Sequence, residues 1–147
     1  MTTPNLETTD PLLYIQENLS EWLKANSYFQ GIDVVTADQG NVVEALNETI
    51  GKCGLCVIIE PANPTFAYAG TGISIECPIR IIVWEQVTMN RGTMGTRKHA
   101  SAVAFEIVKA LRPQTPAAPC TVTQAELTRD SGDECVYTLT AKKKMSV

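Results

Sequence analysis

The chain has 147 residues, 44% of them hydrophobic and 19% charged, with a formal net charge of -4. That length supports one domain with one core, burying roughly two thirds of its unfolded surface, and the composition is that of a globular chain. The charge balance argues against general affinity for nucleic acid, which needs Lys and Arg massed on one face. No apolar run reaches the roughly 20 residues of a membrane-spanning helix.

In chain order, residues 1–9 are polar and aperiodic and predict a disordered lead; with neither a basic start nor an apolar centre, they predict no signal peptide and a protein made in the cytosol. A single domain is expected over 10–147. Asp10 before Pro11 reads as an N-cap with proline at the first helical position, where its missing N–H costs nothing. Leu12, Ile15, Gln16, Leu19, Trp22 and Leu23 then recur at helical spacing, so a first helix should run to 25–28. After Gly31, the β-branched stretch 32–36 predicts a short strand. Asn41 with Glu44 forms a capping-box pattern for a second helix over 42–51. The apolar run 55–59 predicts a second strand. PANPTFAYAGTG, residues 61–72, has no period and reads as a long loop or a projecting hairpin tip, and loops of that length usually have a task.

The longest strand is predicted over 73–89. One face carries Ile75, Cys77, Ile79, Ile81, Val83, Val87 and Met89, interrupted by Glu85; the other carries Arg80, Ile82, Trp84 and Gln86. A helix should begin about Thr96, place Ala100, Val103, Ala104, Ile107 and Leu111 on one side, and close at Pro113. A C-terminal hairpin is expected from strands 121–127 and 135–142, with the turn over 129–133. The order specifies an α+β fold: a mostly antiparallel sheet with helices packed on one face.

Few residues are arranged for chemistry. Cys53 and Cys56 form a CxxC pair, the pattern of thiol oxidoreductases, but it follows a helix and leads into a strand. The nearby helix end is therefore the negative one, which disfavours a thiolate. Cys56 reads better as a small buried hydrophobe. Cys77, Cys120, Cys135 and the single histidine, His99, are too scattered for a zinc site, so no metal, cofactor or catalytic residue is assigned. His99 has no nucleophile beside it in a recognised motif. Gly92 and Gly95 before a helix lack the phosphate-loop and dinucleotide patterns and read as a turn. Lys142, Lys143 and Lys144 read as a solvated strand end. What remains is surface: Trp84 on the second sheet face, and Phe66 and Tyr68 in the 61–72 segment, are residue types that anchor interfaces.

The long strand ending VWEQVTMNRG, the helix from GTRKHA to AFEIVKALRP and the closing hairpin together resemble tail terminator (tail completion) proteins of long-tailed bacteriophages and prophages. The resemblance covers about residues 10–142 by element order, and residue by residue mainly 79–113. It implies a non-enzymatic virion protein, assembled in the host cytoplasm, whose homohexameric ring caps the tail tube and joins it to the head or neck connector. Its partners would be further copies of itself, the tail tube protein and the connector protein. It implies no membrane and no specific nucleic-acid binding, although genome DNA passes through the ring. Six copies at -4 carry -24 in all, which leaves DNA little to adhere to unless lysines line the bore.

Candidate subunit-interface residues are Trp84, Glu85, Asn90, Arg91, Phe66 and Tyr68. Arg91 would offer its planar fork to a neighbour's carboxylate; on that expectation Arg91→Ala weakens the ring and leaves the monomer folded. The alternatives are another neck or head-tail connector protein, a small thiol oxidoreductase using Cys53 and Cys56, and a monomeric binding module using the 61–72 loop.

Overall fold

The computed structural model describes residues 10–37, 44, 54–92, 95, 96, 98–113 and 118–146. Helix α1 (Pro11–Lys24) starts where the sequence predicts. Asp10 caps it, its Oδ1 accepting from the Leu13 amide at 3.1 Å, and Pro11 occupies the first turn. A short 3-10 turn, Ser27–Phe29, follows. Strand β1 (Asp33–Thr36) lies parallel to β2 (Leu55–Ile59), and β2 lies antiparallel to the long β4 (Gly72–Gln86). Strand β3 (Thr65–Ala69) folds back on the first part of β4. After β4 come a single helical turn, α2 (Val87–Asn90), and helix α3 (Ala100–Ala110). Strands β5 (Thr121–Asp130) and β6 (Glu134–Ser146) form the closing hairpin.

The six-stranded sheet runs β1-β2-β4-β6-β5, with β3 beside β4 off that path. Among the described strands only β1 and β2 pair in parallel, so the fold is α+β with a mostly antiparallel sheet. β4 is the spine. On one side it pairs with β6 from Ser74 to Gln86; on the other it is shared end to end by β3, along Gly72–Glu76, and β2, along Ile81–Glu85. Pro78 sits mid-strand, where a missing N–H would break a ladder. Its carbonyl accepts from Asn63 N at 3.0 Å, so its backbone polar edge faces the crossing segment 60–64 between β2 and β3. The missing donor therefore falls in a gap between two ladders.

Along β4 the odd-numbered side chains Cys77, Ile79, Ile81 and Val83 are fully buried, as alternation dictates. They pack with Ile15, Leu19 and Leu23 of α1 and with Val103 and Ile107 of α3, so both long described helices cover one face. Inside the α1 stripe Gln16 is buried, its Nε2 donating to the carbonyls of Ala37 at 2.9 Å and Ile59 at 3.0 Å. Trp22 donates from Nε1 to the Ala110 carbonyl at 3.0 Å and locks α1 to the end of α3. On the opposite sheet face a smaller cluster holds Ala37, Cys56 and Ile58, flanked by Val35, Ile82 and Trp84.

Two expectations change and one alternative is decided. The long strand ends at Gln86, not Met89: the Val87 amide turns to the Asp133 carbonyl at 2.7 Å and Arg91 N returns to Val87 O at 3.0 Å, so Val87 and Met89 lie in a helical turn although their alternation continues. Helix α3 begins at Ala100, because the Thr96 hydroxyl is held by Asn90 and does not cap it; His99 is the exposed N-cap. Of the two options for 61–72, the hairpin is the one formed: β3 and β4 are joined by the two-residue turn Gly70–Thr71, with Gly70 at φ 63. The predicted helix over 42–51 lies outside the described residues except for Glu44, which is helical, and Cys53 and the 1–9 lead lie outside them too.

Candidate functional site

Three of the six candidate residues, Glu85, Asn90 and Arg91, converge where β4 ends. Glu85 is the last core-facing residue of β4 and is fully buried, as is Asn90. The single turn α2 carries Asn90 and Arg91 back over the Glu85 carboxylate. Its Oε2 accepts from Asn90 Nδ2 at 2.6 Å and Arg91 Nε at 3.1 Å, and its Oε1 accepts from Arg91 Nη2 at 3.2 Å and the Ala100 amide at 3.2 Å. The last of these ties the first amide of α3 to a buried anion, the favourable sign for a helix N-terminus.

Asn90 uses every hydrogen-bonding position of its amide. Nδ2 also donates to the Lys98 carbonyl at 2.8 Å, and Oδ1 accepts from the Thr96 amide at 3.3 Å and the Thr96 hydroxyl at 2.6 Å. Thr96 Oγ1 in turn accepts from the Lys98 amide at 3.2 Å. Lys98 reaches across to α1's end, donating to the Tyr28 carbonyl at 2.5 Å with its ammonium 4.2 Å from the Tyr28 ring centroid. One buried carboxylate and one buried amide therefore tie the described residues between β4 and α3 together. No buried side-chain polar atom among the described residues lacks a partner.

Two glycines make the approach possible. A Cβ on Gly95 would collide with the Asn90 backbone. Gly54, at φ +78, lies under α2, where a Cβ would sit 2.7 Å from Asn90 N and 2.9 Å from Gln86 O. In the CGLC stretch the glycine is thus the residue with a geometric task.

Burial alone would push the Glu85 carboxyl up. The hydrogen bonds from Arg91, Asn90 and the Ala100 amide, with the guanidinium charge, outweigh it and hold the group below its ordinary value. A carboxylate that stays ionised and saturated with donors is a poor proton acceptor, so the hub is an architectural site rather than a general base. Arg91, whose side chain is 42% exposed, gives its fork to its own chain's Glu85.

The other three candidates lie apart from the hub. Trp84 is half-buried on the opposite sheet face, with the Arg129 guanidinium 5.6 Å from its ring. Phe66 is 57% and Tyr68 82% exposed on the β3 hairpin. Three of the described thiols are set for packing: Cys56 and Cys77 are buried in strands, and burial pushes the Cys120 thiol up to about 12 despite Lys143 nearby. Among the described residues no group of three or more His, Cys, Asp or Glu side chains could hold a metal ion. Sequence reasoning missed Thr96, Lys98 and Gly54 as hub members; only the Gly-Thr pair before the helix signalled them. It also missed a groove of about 540 Å3 between the C-terminal ends of α1 and α3, lined by Trp22, Ala25, Asn26, Glu106, Lys109, Ala110 and Arg112.

No protein-family model matches the sequence, and no curated protein matches it. Among solved structures, a chain from the virion of a native gene transfer agent (GTA) particle is similar, with a TM-score of 0.64 at 16% identity, covering 95% of this chain and 100% of that one. At that identity the likeness is one of fold.

Proposed function

We propose that this chain is a structural protein of a phage-like virion, and specifically a tail terminator: a hexameric ring that caps the tail tube and joins it to the head or neck connector. The observation that carries the proposal is the fold likeness to a virion chain along the full length of that chain, with 95% of this one included. The sequence resemblance over 79–113 narrows the role, since that segment builds the β4–α3 crossing on which the hub stands. The hub's chemistry agrees with a role in shape rather than turnover, because its ionisable centre is buried and fully engaged. Its partners are further copies of itself, the tube protein and the connector.

Negative-stain imaging of the purified chain, alone and with tail tubes, tests the proposal. Six-fold rings that seat on tube ends and stop tube growth are expected. A chain that stays monomeric at high concentration and leaves tube ends bare overturns it.

A further inference from the structure

The apolar row on the inner face of β4 continues past the helices that cover it. Phe66 and Tyr68 stand directly opposite Ile75 and Ile73 and so share that face. Exposure climbs along the row, from none at Cys77 through 6% at Ile75 to 57% at Phe66 and 82% at Tyr68. The core face thus runs out of the domain on a hairpin arm with its two aromatic rings uncovered.

The two sides of the sheet treat their free edges differently. β5 is interrupted by register shifts after Val122 and Leu127 and carries Glu126, Arg129 and Asp130, the devices by which a soluble chain discourages association at an open strand. β3 pairs in unbroken register, and no charged residue occurs from 61 to 75. Apart from its short length and the preceding Pro61 and Pro64, the arm carries none of these devices on the strand that bears its exposed rings.

The cover is available on the same chain. The groove between the ends of α1 and α3 has room for both rings at about 540 Å3, and its lining suits them. Trp22, Ala25 and Ala110 offer apolar surface to Phe66. Arg112 is exposed and has no ion-pair partner among the described residues, so its guanidinium is free to stack on Tyr68. Within one copy the two do not meet, since Tyr68 projects into solvent.

We infer that the β3 hairpin of one copy docks Phe66 and Tyr68 into the α1/α3 groove of a second copy. Arm and groove are different patches, so the contact is head-to-tail and each copy can use both at once, which closes a ring when the rotation permits. The inference deepens the ring reading and rests on it for closure, by naming what joins neighbours.

The double variant Tyr68→Cys/Ala25→Cys, oxidised and run on a non-reducing gel, tests the contact, with each single variant controlling for the native thiols. A covalent ladder extending past dimer, seen only in the double variant, is expected. Separately, Phe66→Ser/Tyr68→Ser, both at exposed positions and hence compatible with folding, should weaken self-association at least tenfold by light scattering. A double cysteine variant that forms no ladder, with wild-type rings that persist in the serine variant, overturns the docking and leaves the ring reading standing. A ladder that stops at dimer supports the docking and removes the ring. A wild-type chain that is monomeric at every concentration overturns both. Serine variants that assemble normally but no longer seat on tail tubes assign the arm to the tube protein and overturn docking to a second copy.

Discussion

At the scale of single residues, the chain places its most costly group, a fully buried carboxylate, at the end of its central strand and surrounds it with donors. Removing one partner of such a group leaves the remaining charge poorly compensated. Arg91→Ala should therefore lower the monomer's own stability by about 2 kcal/mol, discounted from a fully buried pair because the Arg91 side chain is 42% exposed. That corresponds to roughly 4–8 °C in Tm for a chain of this size, read by calorimetry. A loss of that size still leaves the monomer folded, and it arises because the carboxylate that Arg91 serves is intramolecular. Because the folded Glu85 pKa lies below the ordinary value, its contribution is complete above about pH 4.3 and is lost as pH falls through the lower folded value. Glu85→Gln should be less stable than wild type at neutral pH, and its stability should fall less steeply with acid. Parallel acid-unfolding curves for the two proteins would assign the acid sensitivity to other groups.

At the scale of elements, α1, the alternation of β4 and the C-terminal hairpin were legible because each rests on a local rule: a cap with a stripe, a period of two, a turn between two runs. The end of β4 was not legible, since Val87 and Met89 keep the strand's apolar rhythm and the distant Asp133 diverts the chain, its carbonyl accepting from Val87 N and its carboxylate from the Thr88 hydroxyl. Nor was the hub, because Glu85 and Asn90 in a linear string look like surface polar residues, and their burial depends on α2 folding back. The expected partner of Arg91 was a neighbour's carboxylate, whereas the fold supplies one six residues back in the same chain, which no linear pattern marks as a partner. Gly54 shows how closely packed that fold-back is. Gly54→Ala should cost about 2–4 kcal/mol, combining the left-handed backbone penalty with overpacking against α2. Gly132→Ala shares the positive φ, at 76, but has open space around its Cβ position, so it should cost only about 1 kcal/mol. Urea denaturation of the pair separates the two terms, and equal losses would mean that α2 does not press on Gly54.

At the scale of the whole molecule, the free monomer combines a net negative charge with an uncharged, aromatic arm. These pull association in opposite directions. Copies at -4 repel one another over a distance set by ionic strength, with a screening length of about 30 Å at 0.01 M salt and about 3 Å at 1 M. The arm's contribution, burial of ring surface against Trp22 and alanine methyls, does not weaken as salt is added. Assembly through the arm should therefore strengthen as salt rises from about 0.01 to about 1 M, because screening removes the repulsion and leaves the apolar contact. An interface held by ion pairs, such as one in which Arg91 or the terminal lysines met a neighbour's carboxylates, would weaken over the same range. Sedimentation velocity across that salt series distinguishes the two, and dissociation at high salt would move the subunit contact from the hairpin to the charged surface.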